Sequence, residues 1–244
     1  VRAFAENVRS NPGPGGRLPI FVSKTIVPEL EDVIDIWCMP PQLYDIAKVE
    51  AERKKGRRVW FYNGGRPQAP ALVIDAPATE ARAVAWAAFK HDVEVYFYWH
   101  GVHWRHNRQK PADRNQNVWA NPITFDNRGD PTKPYLTDYG TINGDGVLLY
   151  PGEDTLHPDQ DRGIAGPCST IRLANLRRGL QDHLYLTLAR QRGLDDTVRE
   201  TLGTIVPRVF SDAGETVSFA ETGDDYEAAR LELGRALARA SAAS

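Results

Sequence analysis

Residues 59–104 read VWFYNGGRPQAPALVIDAPATEARAVAWAAFKHDVEVYFYWHGVHW, and the order of elements in this stretch decides the fold. It opens on Val59 to Tyr62, an apolar and aromatic run with the length and composition of a buried strand. A loop rich in Gly and Pro follows. Ala78 to Lys90 then places Ala81, Val84, Ala85, Ala88 and Phe89 at three- and four-residue spacing, the period of a helix with one buried face, with Thr79 or Asp75 near its start. Val93 to Trp99 (VEVYFYW) is the next strand. A strand, a helix and a strand in this order imply parallel pairing through a right-handed crossover.

Upstream, LPIFVS (Leu18 to Ser23) and VIDIW (Val33 to Trp37) read as two further strands, and Gln42 to Lys55 reads as the helix that connects them to Val59. Downstream, residues 100–168 are irregular and rich in Asn, Asp, Gly and Pro, longer than a structureless loop usually runs unless it builds a site. Within it, Gly144, Gly146 and Gly152 in NGDGVLLYPG mark a hairpin-like turn, not a phosphate cradle. A helix over residues 169–192 follows, capped by Ser169 or Thr170, with Leu173, Leu176, Leu180, Leu184 and Leu188 along one side and Gly193 as its left-handed stop. A short helix near Asp195 to Ile205 and a last helix from about Asp225 to Ala240 complete the chain. The fold class is α/β.

The 244 residues carry 30 Lys and Arg against 32 Asp and Glu, a formal charge of -2. That balance lacks the positive excess of a nucleic-acid groove or a binder of anionic membrane surfaces. No apolar run reaches the roughly 18 to 20 residues that span a bilayer. Cys38 and Cys168 are too few for a disulfide scaffold and lack the paired spacing of a zinc site. Val1 is not an initiator Met, the only Met is Met39, and Val1 to Arg9 has no apolar leader core, so the chain reads as a piece of something longer, silent about export.

In parallel α/β folds, ligands sit beyond the C-terminal ends of the strands. Ten of the 23 aromatic residues fall between Trp60 and Trp104, close to Asp35, Asn63 and Asp75 in this topology. Aromatic rings beside carboxylates and amides suit a sugar, whose apolar face stacks while its hydroxyls take fixed hydrogen-bond partners. Trp60, Phe61, Tyr96 and Phe97 are expected to fill the layers between sheet and helices. Asp75 suits helix capping as well as ligand binding, and Arg82 is expected to pair with Asp75 or another acid. His100, His103 and His106 are spaced by three but follow a strand and lack a helical H-E-x-x-H pattern, so no metal is expected, and no cofactor. Nucleophile-elbow, P-loop and dinucleotide signatures are missing.

VIDIW, the 59–104 stretch, GDGVLLYPG and GPCSTIRLANLRRGLQDHLYL together resemble the C-terminal half of the catalytic domain of glycoside hydrolase family 123, and equally the group called domain of unknown function 4091. The resemblance covers roughly residues 18 to 192. It implies a (β/α)8 TIM-type barrel of which this chain supplies the last half: strands near 18–23, 33–37, 59–62 and 93–99, a long loop, the closing helix and extra C-terminal helices. Residues 1–193 would form that partial domain and 194–244 a helical extension. Characterised members resembling it are retaining β-N-acetylgalactosaminidases in which the substrate's acetamido group is the nucleophile, oriented by the Asp of an adjacent Asp-Glu pair whose Glu is the acid/base, a recognised exception to the two-carboxylate scheme. The 244 residues contain no Asp-Glu dipeptide, so no catalytic residue carries over. The pocket wall does: Asp35, Trp37, Tyr62, Asn63, Asp75, Trp99 and Trp104 match positions at or near strand ends. The implied partner is a carbohydrate, a glycan with N-acetylhexosamine. Asp145, Arg172 and Asn175 read as residues tying the long loop to the closing helix. An isolated half barrel would leave strand edges for a missing half or a second copy to cover.

Overall fold

The computed structural model describes residues 1–65, 68–105, 116–126, 140–155, 157–213 and 217–242. Four short strands, β1 (Phe21–Val22), β2 (Ile36–Met39), β3 (Arg58–Tyr62) and β4 (Tyr96–Phe97), form one parallel sheet in sequence order. Of the helices, α1 (Arg2–Arg9) precedes the sheet, α2 (Ile46–Lys54) joins β2 to β3, and α3 (Glu80–Lys90) joins β3 to β4. The long segment adds two antiparallel pairs, β5 (Ile123–Asp126) with β6 (Thr141–Asn143) and β7 (Leu149–Tyr150) with β8 (Cys168–Ser169). The chain ends in α4 (Ile171–Gln191), α5 (Asp195–Ile205) and α6 (Gly223–Ala242). The sheet does not close into a barrel: among the described residues β1 and β4 each keep one edge free.

Alternation along the strands gives the sheet two unlike faces. Trp37, Met39, Val59 and Phe61 are sealed in the core beneath the helices. On the other face lie Phe21, Trp60, Tyr62 and Phe97, with Phe21 39% and Phe97 37% exposed. The expectation that Trp60 and Phe97 fill the layer under the helices is therefore corrected, because alternation from buried Val59 and Phe61 turns them the other way. Phe21 of β1 and Phe97 of β4 have ring centroids 5.6 Å apart. Three strand spacings of about 4.8 Å would hold side chains on a flat sheet roughly 14 Å apart. Their convergence makes this face concave. At its lower end Arg58 pairs with Glu94 through three bonds of 3.0, 3.1 and 2.6 Å and lies over the Trp60 ring.

Strand β2 lies further along than the apolar run VIDIW indicated. The Leu30 carbonyl takes the amides of both Val33 and Ile34, which withdraws them from the ladder, and the strand runs on to Met39. The helix expected over 42–55 is split: Pro41–Leu43 forms a 3-10 turn, and the Asp45 side chain accepts the Lys48 amide to start α2. Asp75 caps nothing; Thr79 is the residue before α3, and its hydroxyl donates to the Glu221 carbonyl. Helix α4 is capped as expected by Thr170, which accepts the Leu173 amide, and stops at Gly193 with φ 71°.

The leucine side of α4 is buried only at its start, where Leu173 and Leu176 pack on the core. Leu180, Leu184 and Leu188 are exposed, whereas Gly179, Asp182, Leu186 and Ala189 face inward. The close approach of α3 selects this face, since a Cβ on Gly179 would run into the Arg82 carbonyl. The partner of Arg82 is Asp182, buried with it and joined by bonds of 2.6 and 3.1 Å. Helices α5 and α6 share the core, contributing Val198, Ile205, Tyr226 and Leu233 to the same cluster as the sheet.

Burial pushes His91, His103 and His183 below the ordinary value of 6.5, His91 against the pull of Asp212. A histidine whose folded pKa is depressed resists protonation that the unfolded chain accepts, so its stability contribution is complete above about pH 6.5 and is lost as pH falls below it. The urea midpoint is expected to be lower at pH 5.5 than at pH 7.5, with the gap smaller in His91→Gln. Equal gaps in the two proteins would remove His91 from the account.

Candidate functional site

The C-terminal ends of β3 and β4 are locked together by one residue. Asn63 adopts φ 55°, a left-handed conformation that Asn tolerates better than most residues. Its amide donates to the Phe97 carbonyl at 2.9 Å, and its Oδ1 accepts the Trp99 amide at 3.2 Å. The chain then turns so that Tyr98 and Trp99 meet the loop carrying Asp145. Tyr98 Oη donates to Asp145 Oδ1 at 3.0 Å and accepts the Gly146 amide at 2.7 Å, while Trp99 Nε1 donates to the same Oδ1 at 3.2 Å.

That loop is tightly held. Gly144 and Gly146 have φ of 68° and 76°, and each is also approached closely: a Cβ on Gly146 would lie 2.8 Å from the Trp99 ring, one on Gly144 2.9 Å from Arg172 Nη2. Both features demand glycine. The buried Arg172 donates to the carbonyls of Leu72, Gly144 and Val147 at 2.8, 2.6 and 2.6 Å, joining the loop after β3, the Asp145 loop and α4. Arg172 thus performs the tying role read from the sequence. Asn175 does not; its side chain bonds back to the Ile171 carbonyl one turn earlier. Asp75 receives both the backbone and the side-chain amide of Asn143, at 3.0 and 2.7 Å, and pins the same two loops from outside.

The electrostatics follow from burial among neutral donors. Burial pushes the Asp145 carboxyl above the usual carboxylate range, opposed by the Trp99 and Tyr98 hydrogen bonds, the nearby Gly146 amide and the charge of Arg172. Burial and the Asp145 charge raise Tyr98 and Tyr62, so both phenols stay protonated and able to donate. The Tyr62 ring, at the end of β3, leans on Phe97 at 5.7 Å.

Of the seven residues expected in a pocket wall, five gather on this side. Tyr62 and Asn63 end β3, Trp99 follows β4, Asp75 braces the loop, and Trp104 donates to the Leu149 carbonyl at 2.9 Å. Two do not. Asp35 precedes β2, so it lies at the opposite end of the sheet, where it accepts the Ile20 amide at 2.7 Å and pairs with Arg9. Trp37 faces the helices, fully buried, and donates to Glu52 at 3.0 Å. The Trp99 ring is packed against Gly146, His103 and Phe125, which makes it a support rather than a free stacking surface. Asp145 and Tyr98, which sequence reasoning left out of the wall, are at the centre of this hydrogen-bonded cluster. The signal for Asp145 is its place between two glycines.

Among the described residues no three His, Cys, Asp or Glu side chains are grouped to hold a metal ion. His100 and His103 have ring centroids 5.3 Å apart, His100 Nδ1 accepts the Val102 amide, and His106 lies outside the described residues. Among them, too, no helix is long and apolar enough to cross a membrane.

No curated protein matches the sequence. Among solved structures, the chain is similar to a family 123 glycoside hydrolase from Clostridium perfringens, described in a structural study of glycolipid glycan hydrolysis. The TM-score is 0.55 at 12% identity, covering 98% of this chain and 38% of that one, a likeness of fold. The chain therefore spans well under half the length of that relative. The sequence matches the family described as glycoside hydrolase 123, catalytic domain, over residues 21–189. That span covers more than half of the 244 residues, and the chain belongs to the glycoside hydrolase 123 catalytic-domain family.

Proposed function

We propose that this chain is the C-terminal half of a (β/α)8 glycoside hydrolase domain acting on N-acetylhexosaminides. In this reading it supplies sugar-binding residues, and the acidic pair that performs the chemistry comes from outside these 244 residues. The observation that carries it is the concave aromatic face of a parallel sheet whose strands follow one another in chain order. Phe21, Trp60 and Phe97 are costly to leave in water, and a second set of strands across that face would bury them as barrel interiors do. The same strands would pair with the free edges of β1 and β4. The C-terminal ends of β3 and β4, where Tyr62, Asn63, Tyr98 and Asp145 collect, are the end at which barrels of this kind bind substrate.

On this reading the hydrolysis is retaining and substrate-assisted, the acetamido oxygen attacking the anomeric carbon as the acid/base residue protonates the leaving oxygen. The polypeptide encoded by the complete reading frame around residues 1–244 is expected to cleave 4-nitrophenyl N-acetyl-β-D-galactosaminide or its glucosaminide analogue. Neutralising an adjacent Asp-Glu pair outside this segment should abolish the reaction. A second reading, a carbohydrate-binding or structural module without catalysis, is favoured by the lack of any Asp-Glu dipeptide in the chain. A complete reading frame that encodes no such pair, with neither glycoside cleaved, would decide for it.

A further inference from the structure

The two outer strands of the sheet are complementary to each other. Successive residues of a strand turn their N–H and C=O to opposite sides. Val95 and Phe97 give their carbonyls to the Phe61 and Asn63 amides, at 3.1 and 2.9 Å, so Tyr96 and Tyr98 turn their backbone groups to the outer side of β4. At the other end of the sheet the Ile20 carbonyl takes the Asp35 and Ile36 amides, each at 3.0 Å, so Phe21 turns its own N–H and C=O to the outer side of β1. A second β1 added in parallel to β4 would bond through Phe21 to Tyr96 and Tyr98 and stand level with Phe97 between them.

The ladder register leads to the same residue. Phe21 is level with Ile36, Ile36 with Arg58, and Phe61 with Tyr96, which sets Arg58 level with Val93. In a (β/α)8 barrel with a shear of about eight residues, the level falls by about four across each set of four strands. The Phe21 of a β1 that continues from β4 then lies about four residues above the level of Val93, which is Phe97. Hydrogen-bond direction and barrel shear thus choose the pairing independently.

The outer layer matches as well. Residues 23–35, which join β1 to β2, contain a 3-10 turn and no α-helix. Helix α1 lies along them, held by Arg2 on Asp32 at 2.8 and 2.7 Å and by Arg9 on the Asp32 and Val33 carbonyls at 3.0 Å each. With α2, α3 and α4, one copy supplies four helices around four strands, half of a (β/α)8 ring. On α4, Leu184 lies roughly 200° round the helix from Asp182, which meets α3, so it faces onward around the ring. Leu184 and Leu188 are exposed there, and so is Phe4 of α1, the helix that would come next.

We propose that the outer strands and helices of this chain form a pair of seams that fit a second copy of it. In each seam β1 of one copy adds in parallel to β4 of the other, α1 packs on Leu184 and Leu188, and the two copies close one eight-stranded barrel about a two-fold axis. The proposal rests on the reading of the chain as half a barrel and names a partner for its other half. Closure removes the outer strand edges and buries Phe21 and Phe97 of both copies in one interior of the size that side chains fill. The second copy also brings four further strand ends to the rim on which Tyr62 and Asn63 stand.

The test is sedimentation equilibrium of the 244-residue chain, of Leu184→Glu and of Phe97→Lys, with circular dichroism of each. The expected species is a dimer of twice the 27.2 kDa of one chain. Each variant is expected to raise the dissociation constant at least about tenfold, as befits a charge set in the apolar part of an interface, with helix content unchanged. Leu184 is exposed, so its variant leaves the packing of a single copy intact. Chains carrying Phe4→Cys, mixed with chains carrying Leu184→Cys, are expected to give on mild oxidation a cross-linked dimer that neither gives alone. A monomer at every concentration, a dimer that Leu184→Glu leaves equally tight, or Leu184→Cys chains that cross-link to one another would each overturn the proposal. A monomeric chain whose complete reading frame yields an active glycosidase would overturn the pairing and leave the half-barrel reading standing. A complete frame that encodes no further barrel strands would overturn that reading, whereas the dimer is judged by sedimentation and cross-linking alone.

Discussion

Replacing Asp182 by alanine is expected to lower the unfolding free energy by about 3–5 kcal/mol, the cost of removing one partner from a buried charged pair. Asp182 is completely buried on α4 and receives four donors: Arg82 Nε at 2.6 Å and Nη2 at 3.1 Å, Trp86 Nε1 at 3.0 Å and Arg230 Nε at 2.6 Å. It is thus the anchor at which α3, α4 and α6 meet. Alanine would strand the Arg82 guanidinium, which is itself sealed from water, with only the half-exposed Glu227 left to it. The Trp86 indole would lose its acceptor as well. Urea denaturation of the variant gives the number directly. A loss below about 1 kcal/mol would mean that water reaches Arg82 and that the helix layer is looser than described.

A second large loss is expected from Phe210→Ala, again about 3–5 kcal/mol, as for deletion of a fully buried aromatic ring. Phe210 follows α5, has no exposed surface, and stacks on Tyr44 at 4.4 Å while meeting Phe61 at 4.8 Å and His91 at 5.2 Å. Its φ is 58°, a conformation that costs a non-glycine residue about 1–2 kcal/mol and persists where packing outweighs it. Lys90 bonds to the Pro207 carbonyl and to Asp212 on either side of it, and Ser211 accepts the Ile46 amide at the start of α2. The segment beyond residue 205 thus packs directly on the sheet's own layer. Calorimetry of Phe210→Ala is expected to show one transition at lower temperature. Two transitions, with that of the sheet unmoved, would mean that residues 194–244 fold as a separate extension.

The parts of the fold legible in the sequence are those where one periodicity acts alone. Val59 to Tyr62 is a short unbroken apolar run and Ala78 to Lys90 has a clean period of three to four, and β3 and α3 fall within a residue or two of them. Where two physical demands compete, the pattern misleads. VIDIW is as apolar at its start as at its end, and only the Leu30 carbonyl, capturing two amides, decides that Val33 and Ile34 lie outside the strand. On α4 the leucines are the obvious stripe, but beyond Leu173 and Leu176, which pack on the core, the helix turns Leu180, Leu184 and Leu188 to solvent because Gly179 admits α3 and Asp182 must meet Arg82. Neither demand shows up as hydrophobic periodicity.

The site divides in the same way. Tyr62, Asn63 and Trp99 are legible as strand ends, since the strands that carry them are. Asp145 is legible as a turn residue between glycines and as a tie of the long loop, but not as a partner of β4's end, because its donors Tyr98 and Trp99 are remote in sequence and reach it only when the long loop folds back over β4.

The most direct test of a sugar site at this end of the sheet is a crystal structure of the protein soaked with N-acetylgalactosamine. The account predicts one pyranose across the C-terminal ends of β3 and β4, against the Tyr62 ring. A sugar bound elsewhere on the protein, with this face occupied only by solvent, would contradict it.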